Sequence, residues 1–151
     1  MHHKLVMMFS KACEYGIKAA VFIAVKSQQE SRVSLNEIAK EINSPIAFTA
    51  KVLQQLRKNG IIDSVKGPNG GFEINKNKVA RIKLNTIVSA IDGDSIYIGC
   101  GLGFQNCNED KPCVIHHQFK LVRNDLKQML ETTSLLDLSN DINNGITFLK
   151  R

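Results

Sequence analysis

The chain has 151 residues, 43% of them hydrophobic, and a formal net charge of +6. That length suits one domain, or one small domain with an appended element, around a real apolar core. No run approaches the ~18 consecutive apolar residues of a membrane span and no signal-peptide pattern opens the chain, so a cytoplasmic protein with no membrane partner is expected.

The charge is uneven. Residues 1–83 carry 14 Lys and Arg against 6 Asp and Glu, whereas residues 84–151 carry 6 against 8. A basic half that meets a polyanion and an acidic half with another task would produce this split. A merely solvated basic surface would carry the same charge, so the elements must decide.

The first element is "SKACEYGIKAAVFIAVKS", in which Ile17, Ala20, Val21 and Ala24 form one stripe of an amphipathic helix capped by Ser10. Cys13 lies within it as a small packing residue. In "SLNEIAKEI", Ser34 and Glu37 stand at capping-box spacing, with Ile38 and Ile42 as the buried face. "NSPIAFTAKVLQQLRKNG" reads as a third helix, capped by Ser44, with Pro45 at the first helical position and Gly60 as its stop. Val52, Leu53 and Leu56 face inward beside Thr49. Only Asn43 and its neighbours separate the second helix from the third, the pattern of a helix-turn-helix.

Residues 61–75 follow as a hairpin: "IIDSV", the turn cluster "KGPNGG", then "FEI". The glycines supply the positive φ and close backbone approach of such a loop. A helix-turn-helix with a Gly-rich hairpin behind it is a winged helix, and residues 1–83 are read as a DNA-binding domain. Ser44, Ala47, Phe48, Ala50 and Lys51 fall on the outer, leading part of the third helix, where base edges are met. Arg57 and Lys58 suit phosphate, while Lys66, Asn69 and Gly70 place the wing at the backbone or minor groove. Lys51 is the one strong reader of guanine among them, so phosphate contacts and DNA shape carry much of the recognition.

"IKLNTIVSAIDG" gives another amphipathic helix packed through Ile87, Val88 and Ile91. From residue 114 on, Ile115, Phe119, Val122, Leu126 and Met129 recur at steps of four, three, four and three, with Leu121 and Leu130 widening the apolar surface. Nineteen residues from Cys113 to Glu131 would span ~30 Å. A core helix is the plain reading; a dimerisation helix is favoured, because one small winged helix cannot cover so wide a face. "LLDLSNDINNGITFL" ends the chain as a short packing helix. The fold class expected is mostly α with a small β-hairpin: a winged helix-turn-helix domain, then a loop-and-dimerisation region over 84–151.

That loop, "CGLGFQNCNEDKPCVIHH", holds Cys100, Cys107, Cys113 and His116. Three clustered thiols in a reducing compartment cannot pair off internally and point to metal or redox chemistry. Thiolate and imidazole suit zinc, copper(I) or an iron–sulfur cluster. Structural zinc favours knuckles with about two to four residues between cysteines. Here six and five intervene, with Gly99, Gly101 and Gly103 making the loop pliable, so a cluster of two or four irons is favoured over zinc or thiol redox chemistry. His117 is expected to face solvent, and His2 and His3 receive no role.

The succession "SKACEYGIKAA", "LRKNGII", "SVKGPNGGF", "IVSAID" and "C…C…NEDKPC..H" resembles the IscR/NsrR/CymR-type winged-helix transcription regulators from Phe9 to about Asp137. The resemblance implies a homodimer bound to a palindromic operator in double-stranded DNA, acting as a repressor. Its iron–sulfur cluster would report iron–sulfur status, oxygen or nitric oxide. Position by position, Cys100, Cys107 and Cys113 match the three cysteine ligands, and His116 matches the fourth ligand of the IscR branch, which holds a [2Fe–2S] cluster. The first interval is one residue longer than in that branch, which leaves [4Fe–4S] as the second option. In the NsrR-like branch the fourth ligand is an acidic residue of the first helix of the other subunit, a place Glu14 occupies here. His116 is preferred because it is tethered to the same loop. No enzyme is expected, since neither a nucleotide-binding loop nor a nucleophile–base arrangement is present. A zinc-binding or thiol-based winged-helix regulator is the alternative, and a small iron–sulfur electron-transfer protein is the alternative of another class.

Overall fold

The computed structural model describes residues 8–100, 102 and 107–151; His2, His3, Gly101 and Gly103 lie outside the described residues. The elements run α1 (Lys11–Gln28), α2 (Leu35–Glu41), α3 (Ile46–Lys58), β1 (Asp63–Val65), β2 (Gly71–Glu73), α4 (Lys76–Val79), α5 (Leu84–Asp92), α6 (Ser95–Ile98), α7 (His116–Thr132) and α8 (Leu135–Asn143). The fold is mostly helical with one antiparallel hairpin, as expected. No helix of the described residues is long and apolar enough to cross a membrane.

α1 is the central post. Ser10 caps it by accepting from the Cys13 N–H at 3.0 Å, and Cys13, Ala19, Ala20, Ile23 and Ala24 are fully buried. α3, α5 and α8 all pack on it. α5 crosses α1 at Gly16, where an added Cβ would displace the tip of the Ile91 side chain. Ile87 and Val88 of α5, Leu130 of α7 and Leu135 of α8 join Ile38, Leu53 and Leu56 in one core. An antiparallel bridge between Lys83 and Ser134 closes it: the Leu84 N–H donates to Thr133 O and the Leu135 N–H to Ile82 O, both at 2.9 Å. The core is therefore continuous across residue 83.

The helix-turn-helix is tighter than its sequence reads. Asn43 takes a positive φ of 53°. Its N–H returns to Lys40 O at 3.3 Å and the Ser44 N–H to Ala39 O at 3.0 Å, which satisfies the last carbonyls of α2 in a Schellman turn. Ser44 is consumed by that turn and does not cap α3. Pro45 is the N-cap, with no side-chain cap bond, and the Ser44 hydroxyl meets Thr49 Oγ1 instead. Buried Thr49 donates in turn to Pro45 O at 2.8 Å. The capping box of α2 is half formed: Ser34 Oγ accepts from the Glu37 N–H, but the Glu37 carboxylate takes the Ser34 hydroxyl, each at 3.2 Å. The complete box lies at α8, where Ser134 and Asp137 exchange backbone-to-side-chain bonds of 3.1 Å. Those Ser134 bonds hold the Asp137 carboxyl below its ordinary range.

The hairpin is shorter than 61–75, pairing Asp63 with Glu73, Ser64 with Phe72 and Val65 with Gly71. Ile61, Ile62 and Ile74 are core anchors instead. Val33, in the α1–α2 connection, bridges Phe72 through bonds of 2.7 and 3.1 Å, so a third strand-like segment backs the wing. Gly70 lacks a positive φ. It is needed because a Cβ there would run into the Val65 carbonyl.

Candidate functional site

Two regions carry the expected site residues. The first is the outer face of α3 with the wing. Ala47, Lys51, Arg57 and Lys58 are exposed and Ala50 is half-buried. Phe48 is half-buried and packs edge-on against Tyr15, with ring centroids 5.6 Å apart, and Ser44 is engaged with Thr49. Both side chains therefore already have a partner within the protein. Gln54 and Gln55 are exposed, and the sequence reading passed over them. The helical repeat 47, 51, 54, 58 identifies Gln54, whose amide matches the adenine edge. On the wing, Lys66 and Asn69 are exposed and Gly70 is half-buried in the turn.

The second region is the cysteine loop against α7. Cys100 Sγ lies 3.9 Å from Cys113 Sγ. Cys107 Sγ lies 3.1 Å from Nδ1 of His116, the first residue of α7, which is only 4% exposed. His117 is exposed and stands edge-on to His116, as expected. The four expected ligands are thus brought together as two pairs. Among the described residues no three His, Cys, Asp or Glu side chains converge as a metal site. The donor set itself, three half-buried thiols and a buried imidazole, suits an iron–sulfur centre.

α7 holds the loop at two further points. Arg123 Nη1 donates to Gly99 O at 3.0 Å, and Lys120 pairs with Glu109, holding that carboxyl below its ordinary range. Asn108 Oδ1 accepts from the Asp110 and Lys111 N–H groups at 2.8 and 3.2 Å, which turns the chain between Cys107 and Cys113.

Asp92, the last residue of α5, reaches the start of α1. It accepts from the Ser10 N–H at 2.9 Å and from the Ser10 hydroxyl. Burial, reinforced by Asp92, pushes the Cys13 thiol up to about 12, which suits a packing residue. Glu14 is half-buried one residue away. On α7, Leu130 is buried in the core, whereas Leu121 and Val122 are 67% and 64% exposed. With exposed Met129 they form an apolar outer face, while half-buried Leu126 packs against the core.

Residues 9–141 match the model of the Rrf2 family, described as an iron-dependent transcriptional regulator. A protein of Aquifex aeolicus (strain VF5) whose name describes an HTH-type transcriptional regulator is 32% identical over 136 residues, covering 89% of this chain and 92% of that protein. IscR of Pectobacterium atrosepticum, another HTH-type regulator, is 27% identical over 135 residues, covering 89% and 80%. Among solved structures, CymR, the global cysteine regulator of B. subtilis, superposes with a TM-score of 0.73 at 22% identity, over 87% of this chain and 95% of that one. IscR of T. potens does so with a TM-score of 0.72 at 21% identity, over 96% and 95%. At such identities the two structures speak for the winged-helix fold.

Proposed function

The chain belongs to the Rrf2 family of transcriptional regulators, and from that premise we propose that it is an iron–sulfur-dependent repressor that binds a palindromic operator as a homodimer. The observation that carries the reading is the gathering of Cys107 with His116 and of Cys100 with Cys113 at the start of α7. Cys100, Cys107, Cys113 and His116 would hold the cluster, [2Fe–2S] in preference to [4Fe–4S], with Glu14 of a second subunit as the alternative fourth ligand. When bound, the cluster supplies a centre sensitive to oxidants and nitric oxide.

The rest is the work of the chain. His116 opens α7, and Arg123 of the same helix holds the carbonyl of Gly99, next to Cys100. Rearranging the thiols would therefore pull on the start of α7 and, at Gly99, on the segment that leads back through α6 to α5. Asp92 passes that pull to Ser10 and the N-terminal turn of α1, on which α3 packs through its inner face. In a dimer the two α3 helices must sit near ~34 Å apart to enter successive major grooves. A tenfold change in operator affinity needs only ~1.4 kcal/mol of preference between spacings. The apolar outer face of α7 would be the dimer contact.

Protein purified without oxygen is expected to carry iron and acid-labile sulfide in equal amounts with visible absorption. A colourless protein with one zinc would replace this reading with the zinc regulator. A metal-free protein that cannot be loaded with iron and sulfide would remove the cluster altogether. Gel shifts over a salt series test the other half of the proposal, since phosphate neutralisation makes affinity fall steeply with salt.

A further inference from the structure

The hairpin that forms the wing is a weak element taken alone. Its ladder has three residue pairs, and an isolated two-stranded hairpin is marginal in water. The Lys78–Asp63 ion pair, at 4.0 Å, involves the first residue of β1 and so lies at the hairpin base. The tip, residues 66–70, closes on one internal bond, from the Gly70 N–H to Gly67 O at 2.9 Å. Yet this tip carries Lys66 and Asn69, the wing residues placed against DNA.

A side chain outside the hairpin reaches the tip. Arg32, in the α1–α2 connection, donates from Nε to Glu73 Oε2 of β2 at 2.9 Å and from Nη1 to the Asn69 carbonyl at 3.2 Å. Its neighbour Val33 makes the backbone bridge to Phe72. The Arg32 side chain therefore extends a docking begun by the backbone, running from the strand to the loop. Gly71 admits the approach, because a Cβ there would strike the Val33 carbonyl. The guanidinium also offsets the Glu73 carboxylate, which would otherwise stand uncompensated on an element meant for phosphate.

We infer that Arg32 is a positioning residue for DNA binding: its forked side chain pins the wing tip at Asn69 while neutralising Glu73, without itself touching the duplex. The inference deepens the DNA-binding reading and rests on it. A lysine cannot replace the fork, because one ammonium lacks the rigid pair of donors that spans strand and loop. An ion pair that is over a third exposed adds little to global stability. The expected effect is therefore local order at the tip, with the melting temperature nearly unchanged.

Arg32→Ala and Arg32→Lys separate the possibilities. In the free protein, amide exchange at Gly70 followed by NMR is expected to quicken in Arg32→Ala while exchange in α3 stays as in wild type. With a fluorescent duplex selected from a random-sequence pool by the wild-type protein, Arg32→Ala is expected to bind about fivefold more weakly with an unchanged salt slope. Arg32→Lys should also bind more weakly. Unchanged exchange at Gly70 would overturn the clamp, and wild-type affinity in Arg32→Lys would overturn the fork. A salt slope lower by about one would make Arg32 a phosphate contact instead. Failure of the wild-type protein to retain any duplex would sink the DNA reading, while the exchange measurement would still decide the clamp.

Discussion

Asp92 shows how one side chain can organise residues far away in sequence. It closes α5, takes both the N–H and the hydroxyl of Ser10, and reinforces the burial that keeps the Cys13 thiol protonated. The folded thiol holds its proton up to about 12, against 9.0 for an ordinary thiol. The folded state thus binds this proton more tightly than the unfolded one. Its contribution is complete below pH 9 and is lost as pH rises towards 12, by up to ~1.4 kcal/mol per pH unit. Urea unfolding in reductant at pH 8, 9, 10 and 11 is expected to show stability falling more steeply in wild type than in Cys13→Ala. Parallel slopes would mean that this thiol ionises alike in both states. The packing role of Cys13 was legible from its place inside an amphipathic helix with no second Cys or His at ligand spacing. The role of Asp92 was not, since its partner is 82 residues away. The pairing of Cys107 with His116 and of Cys100 with Cys113 was equally hidden. Spacing names donors, but α7 decides which of them meet.

At the scale of elements, the departures from the sequence reading cluster where two elements compete for the same residues. α1, α3 and α5 were legible from apolar periodicity, and so was the wing from its turn cluster. The α2–α3 turn was misread because a Schellman turn ends α2 with Asn43 and Ser44, leaving only Pro45 to begin α3. Ser44 could not serve both. Asn43 tolerates its positive φ better than most residues, so Asn43→Gly should hold wild-type stability within ~0.5 kcal/mol. Asn43→Val should lose about 1–2 kcal/mol, read from urea midpoints at unchanged m-value, by the steric cost of a left-handed branched residue. The wing makes a separate prediction. A Cβ at Gly70 meets the backbone carbonyl of Val65, which cannot swing aside as a side chain would. Gly70→Ala should therefore open the tip, weaken operator binding at least tenfold, and leave the helical circular dichroism and melting temperature close to wild type. A parallel loss of helix signal would place the damage in the core rather than the wing.

On the scale of the whole molecule, the charge split at residue 83 was legible, but the single core that runs across it was not. Leu130 and Leu135 are buried with Ile38, Leu53 and Leu56, so the acidic half and the helix-turn-helix share one packed core. Leu121 and Val122 stay outside that core. If their face joins two subunits, Val122→Asp should sediment as a monomer and bind the operator with roughly half the wild-type salt slope, since one head neutralises half the phosphates. The same continuity gives a test of the signal path. The segment carrying the thiols leaves α5 at Asp92, and Asp92 is bonded to the residue that caps α1. Asp92→Asn keeps the shape of that contact but weakens it, because the amide offers one uncharged acceptor where the carboxylate offered two. Loaded anaerobically, the variant should contain as much iron and sulfide as wild type, since none of the proposed ligands is altered. Its operator affinity, however, should change less than the wild type's when the cluster is stripped by nitric oxide. Equal responses in the two proteins would show that the signal reaches α3 by another route, with the packing of α5 on Gly16 of α1 the next contact to break.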